Sequence, residues 1–204
     1  MTQAGSPYAG LAPGEWLVKT RELLDAYPVS AKEVVEIVLD QWNSIFESRV
    51  GRHGLRIGEH IWPKPQVMGD YLHELIPYEF QARYGASTWR RDQSGAEKDL
   101  VNVEDDFFST EIKTSSHKSQ IFGNRSFAQP GQSKKNKSGF YLTVNFERWS
   151  DVAKGARPSV RIIRLGWLDY TDWRAQAAQT GQQAHLIAEA YAGKLIELHP
   201  AAGI

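Results

Sequence analysis

The chain has 204 residues, 41% of them hydrophobic, which suffices for one domain with a true core and is too few for two comfortable ones. It holds no cysteine, so disulfides, thiolate nucleophiles and cysteine-held zinc are excluded. Lys plus Arg and Asp plus Glu each number 24, so bulk charge alone does not point to a polyanionic partner.

The opening MTQAGSPYAG has neither a basic n-region nor an apolar h-region, and nowhere do eighteen apolar residues run together. The expectation is a soluble, cytoplasmic protein with no membrane partner. Trp16, Leu17, Thr20, Leu23, Leu24 and Tyr27 recur at helical spacing, and Pro28 ends that helix. Ser30 and Glu33 have the spacing of a capping box for a second helix. Its core stripe is read as Val34, Val35, Val38, Leu39, Trp42, Ile45 and Phe46.

A Gly- and Arg-rich loop spans Gly51 to Gly58. Pro65 suits the first turn of a third helix carrying Val67, Met68, Tyr71, Leu72 and Leu75. Pro77 is expected to kink or end it, with a short second stretch reaching Tyr84 and stopping at Gly85.

The period then becomes that of strands. Expected strands are Trp89–Arg91, Asp99–Val103, Phe107–Thr114, Gly139–Phe146 and Val160–Leu165, followed by a helix from Tyr170 to Gln179 and a terminal segment from Lys194 to Leu198. The fold class is α/β or α+β: a mixed sheet of about four to five strands flanked by helices. Residues 1–204 read as a single domain, with a helical region at 11–50 ahead of a core at 60–200.

Chemistry concentrates at Asp99 and at Glu111-Ile112-Lys113. Residues two apart on a strand share a face, so Glu111 and Lys113 project together while Ile112 points into the core. If the two strands pair as a hairpin, Asp99 meets Glu111 at one edge of the sheet. Two carboxylates offer hard oxygen ligands suited to Mg²⁺, with Mn²⁺ as a substitute. An adjacent ammonium can orient and polarise water for attack on a phosphodiester. The bland alternative is a cross-strand ion pair on a solvent-facing sheet. Glu74, on the helix ahead of the sheet, is a fourth candidate catalytic and metal-binding acid, with an ordinary exposed glutamate as its alternative.

Charge is unevenly distributed. Residues 1–111 hold 11 basic against 18 acidic residues, and residues 112–204 hold 13 against 6. Residues 112–146 contain no acid, while Lys113, Lys118, Arg125, Lys134, Lys135 and Lys137 fall there. A local field of this kind recognises a polyanion; a solvated basic loop is the alternative.

The pattern Asp99…Glu111-Ile112-Lys113 resembles the PD-(D/E)xK nuclease superfamily, with Lys98 where a proline is usual. Glu111 to Ser116, Gln120 to Gln129, Pro63 to Gly69, His73 to Pro77, Trp89 to Gln93 and Gly166 to Asp169 are similar to the ScaI family of type II restriction endonucleases, a likeness spanning most of the chain. The resemblance implies a restriction-endonuclease-like core and a homodimer that cuts both strands of duplex DNA at a short palindrome. That site would be AGTACT or a related sequence, cut to blunt ends, with a companion methyltransferase protecting the host genome. Asp99 and Glu111 would bind the metal and Lys113 would orient the attacking water.

After the catalytic strand, Asn124 and Gln129 suit adenine and Arg125 suits guanine, though Gly123-Asn124 also reads as a simple turn. Ser115, Lys118 and Ser126 are further DNA-contact candidates. Lys134, Lys135 and Lys137, with Arg90 and Arg91, are expected on phosphates. Two other functions use the same residues: a structure-specific or repair nuclease, and a DNA-binding protein without activity. No H-x-x-x-H pair, Walker loop, GxGxxG or GxSxG is present.

Overall fold

The computed structural model describes residues 5–128, 136–178 and 180–200. Helices α1 (Trp16–Asp25) and α2 (Ala31–Glu47) open it. The Ser30 side chain accepts the Glu33 backbone N–H, and Glu33 accepts the Ser30 N–H, so the expected capping box forms. The buried stripe of α2 is Val34, Ile37, Val38, Trp42, Ile45 and Phe46. Ile37 belongs to it, while Val35 and Leu39 lie at its margin.

The Gly/Arg loop contains a small ribbon of β1 (Arg49–Val50) and β2 (Leu55–Arg56). Helix α3 (Pro65–Tyr84) then runs unbroken through Pro77, correcting the expected break. Pro77 has no N–H to give the His73 carbonyl, which removes one ladder bond. It is buried with Met68, Leu72, Ile76 and Phe80, and that apolar packing holds the helix together across the gap. Gly85, at φ 87°, ends it.

The remaining elements are β3 (Trp89–Arg91), β4 (Leu100–Asn102), β5 (Thr110–Ser115), β6 (Phe122–Asn124), β7 (Gly139–Phe146), β8 (Val160–Leu168), β9 (Trp173–Ala175), β10 (Gln183–Leu186), α4 (Ala188–Gly193) and β11 (Ile196–His199). The main sheet has six strands, one or two more than expected, in the order β11-β8-β7-β5-β4-β3. Its strands pair antiparallel except for β5 and β7, which are parallel.

Two expected elements are replaced. Residues 107–109 are not strand: Asp106–Phe108 is a 3-10 turn that stacks Phe107 on Trp167 and sets Phe108 against Phe140. The expected helix over 170–179 is a 3-10 turn, Tyr170–Asp172, followed by β9. Trp173 is drawn into an aromatic cluster with Phe127 and Tyr141, and β9 finds its backbone partner in β10. Strands β6, β10 and β9 thus form a second, three-stranded sheet.

The central strand β7 is buried along its whole length, as a strand covered on both faces should be. One face sends Phe140, Leu142, Val144 and Phe146 into a core shared with α1, α2 and α3. The other sends Tyr141 into a smaller core with Phe127, Trp173, Ala184, Leu186 and Leu195. Gly69 lets α3 lie directly on β5, because a Cβ there would collide with the Thr114 hydroxyl. Among the described residues, no helix is long and apolar enough to cross a membrane.

Candidate active site

The site lies on the second face of the sheet, beside the small core. Antiparallel pairing of Leu100 with Thr110 sets Asp99, one residue earlier, opposite Glu111. Parallel pairing then places Tyr141 beside Glu111 and Thr143 beside Lys113. The sequence pattern is therefore realised as one continuous row across three strands.

Lys113 is the hub. Its Nζ lies 2.7 Å from Glu111 Oε1 and donates to the Ile112 carbonyl at 3.1 Å. The side chains of Lys113 and Glu111 are 13% and 4% exposed, so the pair is shielded from solvent and its attraction is strong. Lys113 Nζ also sits 4.6 Å from the centre of the Phe127 ring, and Lys137 Nζ lies 4.1 Å from the same ring.

Asp99 Oδ2 accepts the Ile112 backbone N–H at 2.8 Å and lies 3.5 Å from Nδ1 of His73, which projects from α3. Lys98, almost buried, holds its ammonium 4.9 Å from the Tyr141 ring centre. The Tyr141 hydroxyl donates to the Lys137 carbonyl at 2.6 Å. Burial pushes the Tyr141 phenol far above its ordinary range, and the nearby Glu111 charge adds to the effect. Tyr141 is thus a neutral wall of the site.

The other candidates are dispersed. Glu74 is not brought to the carboxylate pair: it is well exposed and bonds Arg91 at 3.0 Å. Arg90 is held by Glu97. Asn124, exposed on β6, pairs in register with Gln183, and Ser126 sits in the 3-10 turn Arg125–Ala128. The Arg125 guanidinium donates to the carbonyls of Ala178 and Gly181, each at 3.0 Å, and so holds these two residues to the end of β6. Ser115 Oγ accepts the His117 N–H at 3.1 Å, and Lys118 is exposed beside it. Gln129, Lys134 and Lys135 lie outside the described residues.

Sequence reasoning passed over His73, Phe127 and Tyr141. Tyr141 had a usable signal, an aromatic facing the site in a strand otherwise read as core. His73 had none, since its approach to Asp99 depends on where α3 crosses the sheet.

A divalent cation is tested by the donor set. Glu111 Oε1 and the Ile112 carbonyl converge on one positive centre, the Lys113 ammonium, with Asp99 opposite Glu111 on the neighbouring strand. Two carboxylates and a carbonyl fit a hard ion such as Mg²⁺, which keeps much of its water shell.

The profile of the ScaI restriction endonuclease family matches residues 6–199. The chain is 52% identical over 196 residues to a protein named type II restriction enzyme ScaI from Streptomyces caespitosus, an alignment covering 95% of this chain and 85% of that one.

Proposed function

The chain belongs to the ScaI restriction endonuclease family, and from that premise we propose that it makes double-strand cuts in DNA at a short palindromic site, AGTACT or a related sequence, leaving blunt ends. The observation that carries this reading is the convergence of Asp99, Glu111 and Lys113 on one sheet face. The chain works as a single catalytic domain, paired as a homodimer so that each protomer addresses one strand, in the cytoplasm beside a separate methyltransferase.

Asp99 and Glu111 would hold Mg²⁺, or Mn²⁺ in its place. When bound, the ion supplies positive charge for the phosphate and lowers the pKa of coordinated water. Lys113 holds its ammonium on Glu111 Oε1 and would orient the attacking water while adding charge near the scissile group. Asp99 is fixed by the Ile112 N–H, so this carboxylate is already aimed before substrate arrives. Tyr141 and Phe127 exclude water from the inner side, which strengthens each of these interactions.

Plasmid digestion in Mg²⁺ tests the proposal. Discrete bands are expected, and run-off sequencing of the cut ends gives site and offset together. A smear or a single nick would instead identify a nuclease without a palindromic site.

A further inference from the structure

Beyond the catalytic row, β5 leads into a turn with unusual internal support. His117 Nδ1 accepts two backbone N–H groups, from Ser119 at 3.2 Å and from Gln120 at 3.0 Å. A nitrogen accepting two N–H bonds carries no proton, so the ring is the tautomer with its proton on Nε2. Among the described residues no hydrogen bond engages that Nε2–H. The ring is partly exposed, and Lys118, Ser119 and Gln120 around it are exposed.

The turn is also anchored from below. Asn145 Nδ2 donates to the carbonyls of His117 and Gln120, both at 2.9 Å. Arg164, almost buried, donates to Asn145 Oδ1 at 3.0 Å and to the Ser119 carbonyl at 3.3 Å. The Tyr191 hydroxyl accepts the Ile121 N–H at 2.8 Å. Burying a guanidinium is costly, as the fall of the Arg164 pKa through desolvation reflects. Here that cost secures the backbone of a short surface turn, the kind of support a binding site needs for a fixed geometry.

The turn is well placed. Glu111, Lys113 and Ser115 share one strand face, and Ser115 Oγ accepts the His117 N–H. His117 lies four residues past Lys113 and two past the end of β5, so at about 3.3 Å per residue it stands no more than roughly 13 Å from Lys113. A group at that distance from a scissile phosphate reaches base pairs a few steps away.

We propose that His117 is a specificity-determining residue: its Nε2–H, held in direction by the Ser119 and Gln120 N–H groups, donates to an acceptor on a base edge, and the Asn145–Arg164 pair positions it. The inference rests on the DNA-cutting reading above. Purine N7, guanine O6 and thymine O4 are the acceptors such a donor can read in the major groove. Lys118, alongside, takes phosphate.

His117→Asn tests this, because the asparagine Oδ1 occupies the position of Nδ1 and keeps the turn while the Nε2–H is lost. Parent and variant are compared on a duplex carrying the site mapped by run-off sequencing and on duplexes with each base pair changed singly. Affinity is read in Ca²⁺ and kcat/KM in Mg²⁺. The expected result is an unchanged Tm, a loss of about tenfold or more on the mapped site, and little loss on the duplex changed at the contacted pair. Equal loss on all duplexes, or none, overturns the inference while parent cleavage stands. A parent that cuts no DNA overturns the DNA-cutting reading itself.

Discussion

Asp99 Oδ2 accepts the backbone N–H of Ile112 at 2.8 Å, so a candidate metal-binding carboxylate is also a rung between two strands. The residue that would hold the ion thereby helps fix the strand that carries Glu111 and Lys113. Asp99→Asn keeps an oxygen in place for Ile112 and is expected to retain stability while losing cleavage. Asp99→Ala removes the rung as well and should cost about 1 kcal/mol more. Urea unfolding beside a plasmid assay distinguishes the two, and cleavage surviving in either variant would remove Asp99 from the site.

Lys113 and Glu111 form an ion pair of which little is exposed, so removing one charge is expected to harm folding as well as the proposed cleavage. Lys113→Met is expected to destabilise the protein by about 3–5 kcal/mol, because the Glu111 charge keeps its burial and loses the Lys113 ammonium 2.7 Å away. Adding Glu111→Gln should recover a measurable part of that loss, giving a coupling energy in a double-mutant cycle. Neither variant should cut DNA. A cycle with no coupling would mean that the pair adds nothing to the fold.

The parts of this arrangement that depend on local chemistry were legible in the sequence. The capping box at Ser30 and Glu33, strand Gly139–Phe146 and the pairing of Asp99 with Glu111 all follow from spacing and alternation. Elements governed by distant contacts were not. Pro77 stays helical because Ile76 and Phe80 pack on either side of it in the chain. Trp173 becomes strand because Phe127, Tyr141 and β10 receive it. The same limit hid the approach of His73 to Asp99, which helix placement sets, and it hid the ties of Arg125 to Ala178 and Gly181.

Arg90 grips Glu97 with both guanidinium nitrogens and holds its carboxyl down to about 2, from an ordinary value of 4.5. A depressed carboxyl contributes stability above its unfolded pKa and loses it as pH falls through the folded value. The Tm difference between parent and Glu97→Gln is therefore expected to be constant above pH 5 and to shrink from about pH 4.5 toward pH 2. A difference that does not change with pH would show that the pair acts through packing alone.

Lys194 Nζ is buried between Asp169 Oδ2 at 2.8 Å and both oxygens of Asp172 at 2.9 Å, joining the end of α4 to the turn before β9. Burial pushes the Asp172 carboxyl up, and the Lys194 bond opposes that push. Lys194→Met should cost about 3–5 kcal/mol at neutral pH. Since a raised carboxyl favours the protonated folded state, the variant should regain part of this as pH is lowered. Parallel pH–stability curves for parent and variant would argue against the two aspartates as the cause.

The basic segment makes a prediction about DNA in general. Lys137 lies against Phe127 at the edge of the site, and Lys134 and Lys135 precede it in a stretch of chain without acids. Lysines on phosphates release counterions on binding, so log K falls linearly with log salt, by about 0.9 for each contact on duplex DNA. Changing all three lysines to alanine should weaken binding on every sequence alike and flatten that slope by about 0.9 for each lysine that grips phosphate. The slope is the decisive measurement. Weaker binding at a fixed salt concentration has several causes, whereas a flatter slope counts charges that have left the phosphates. An unchanged slope would place these lysines in solvent and leave Lys118 and the arginines to hold the backbone.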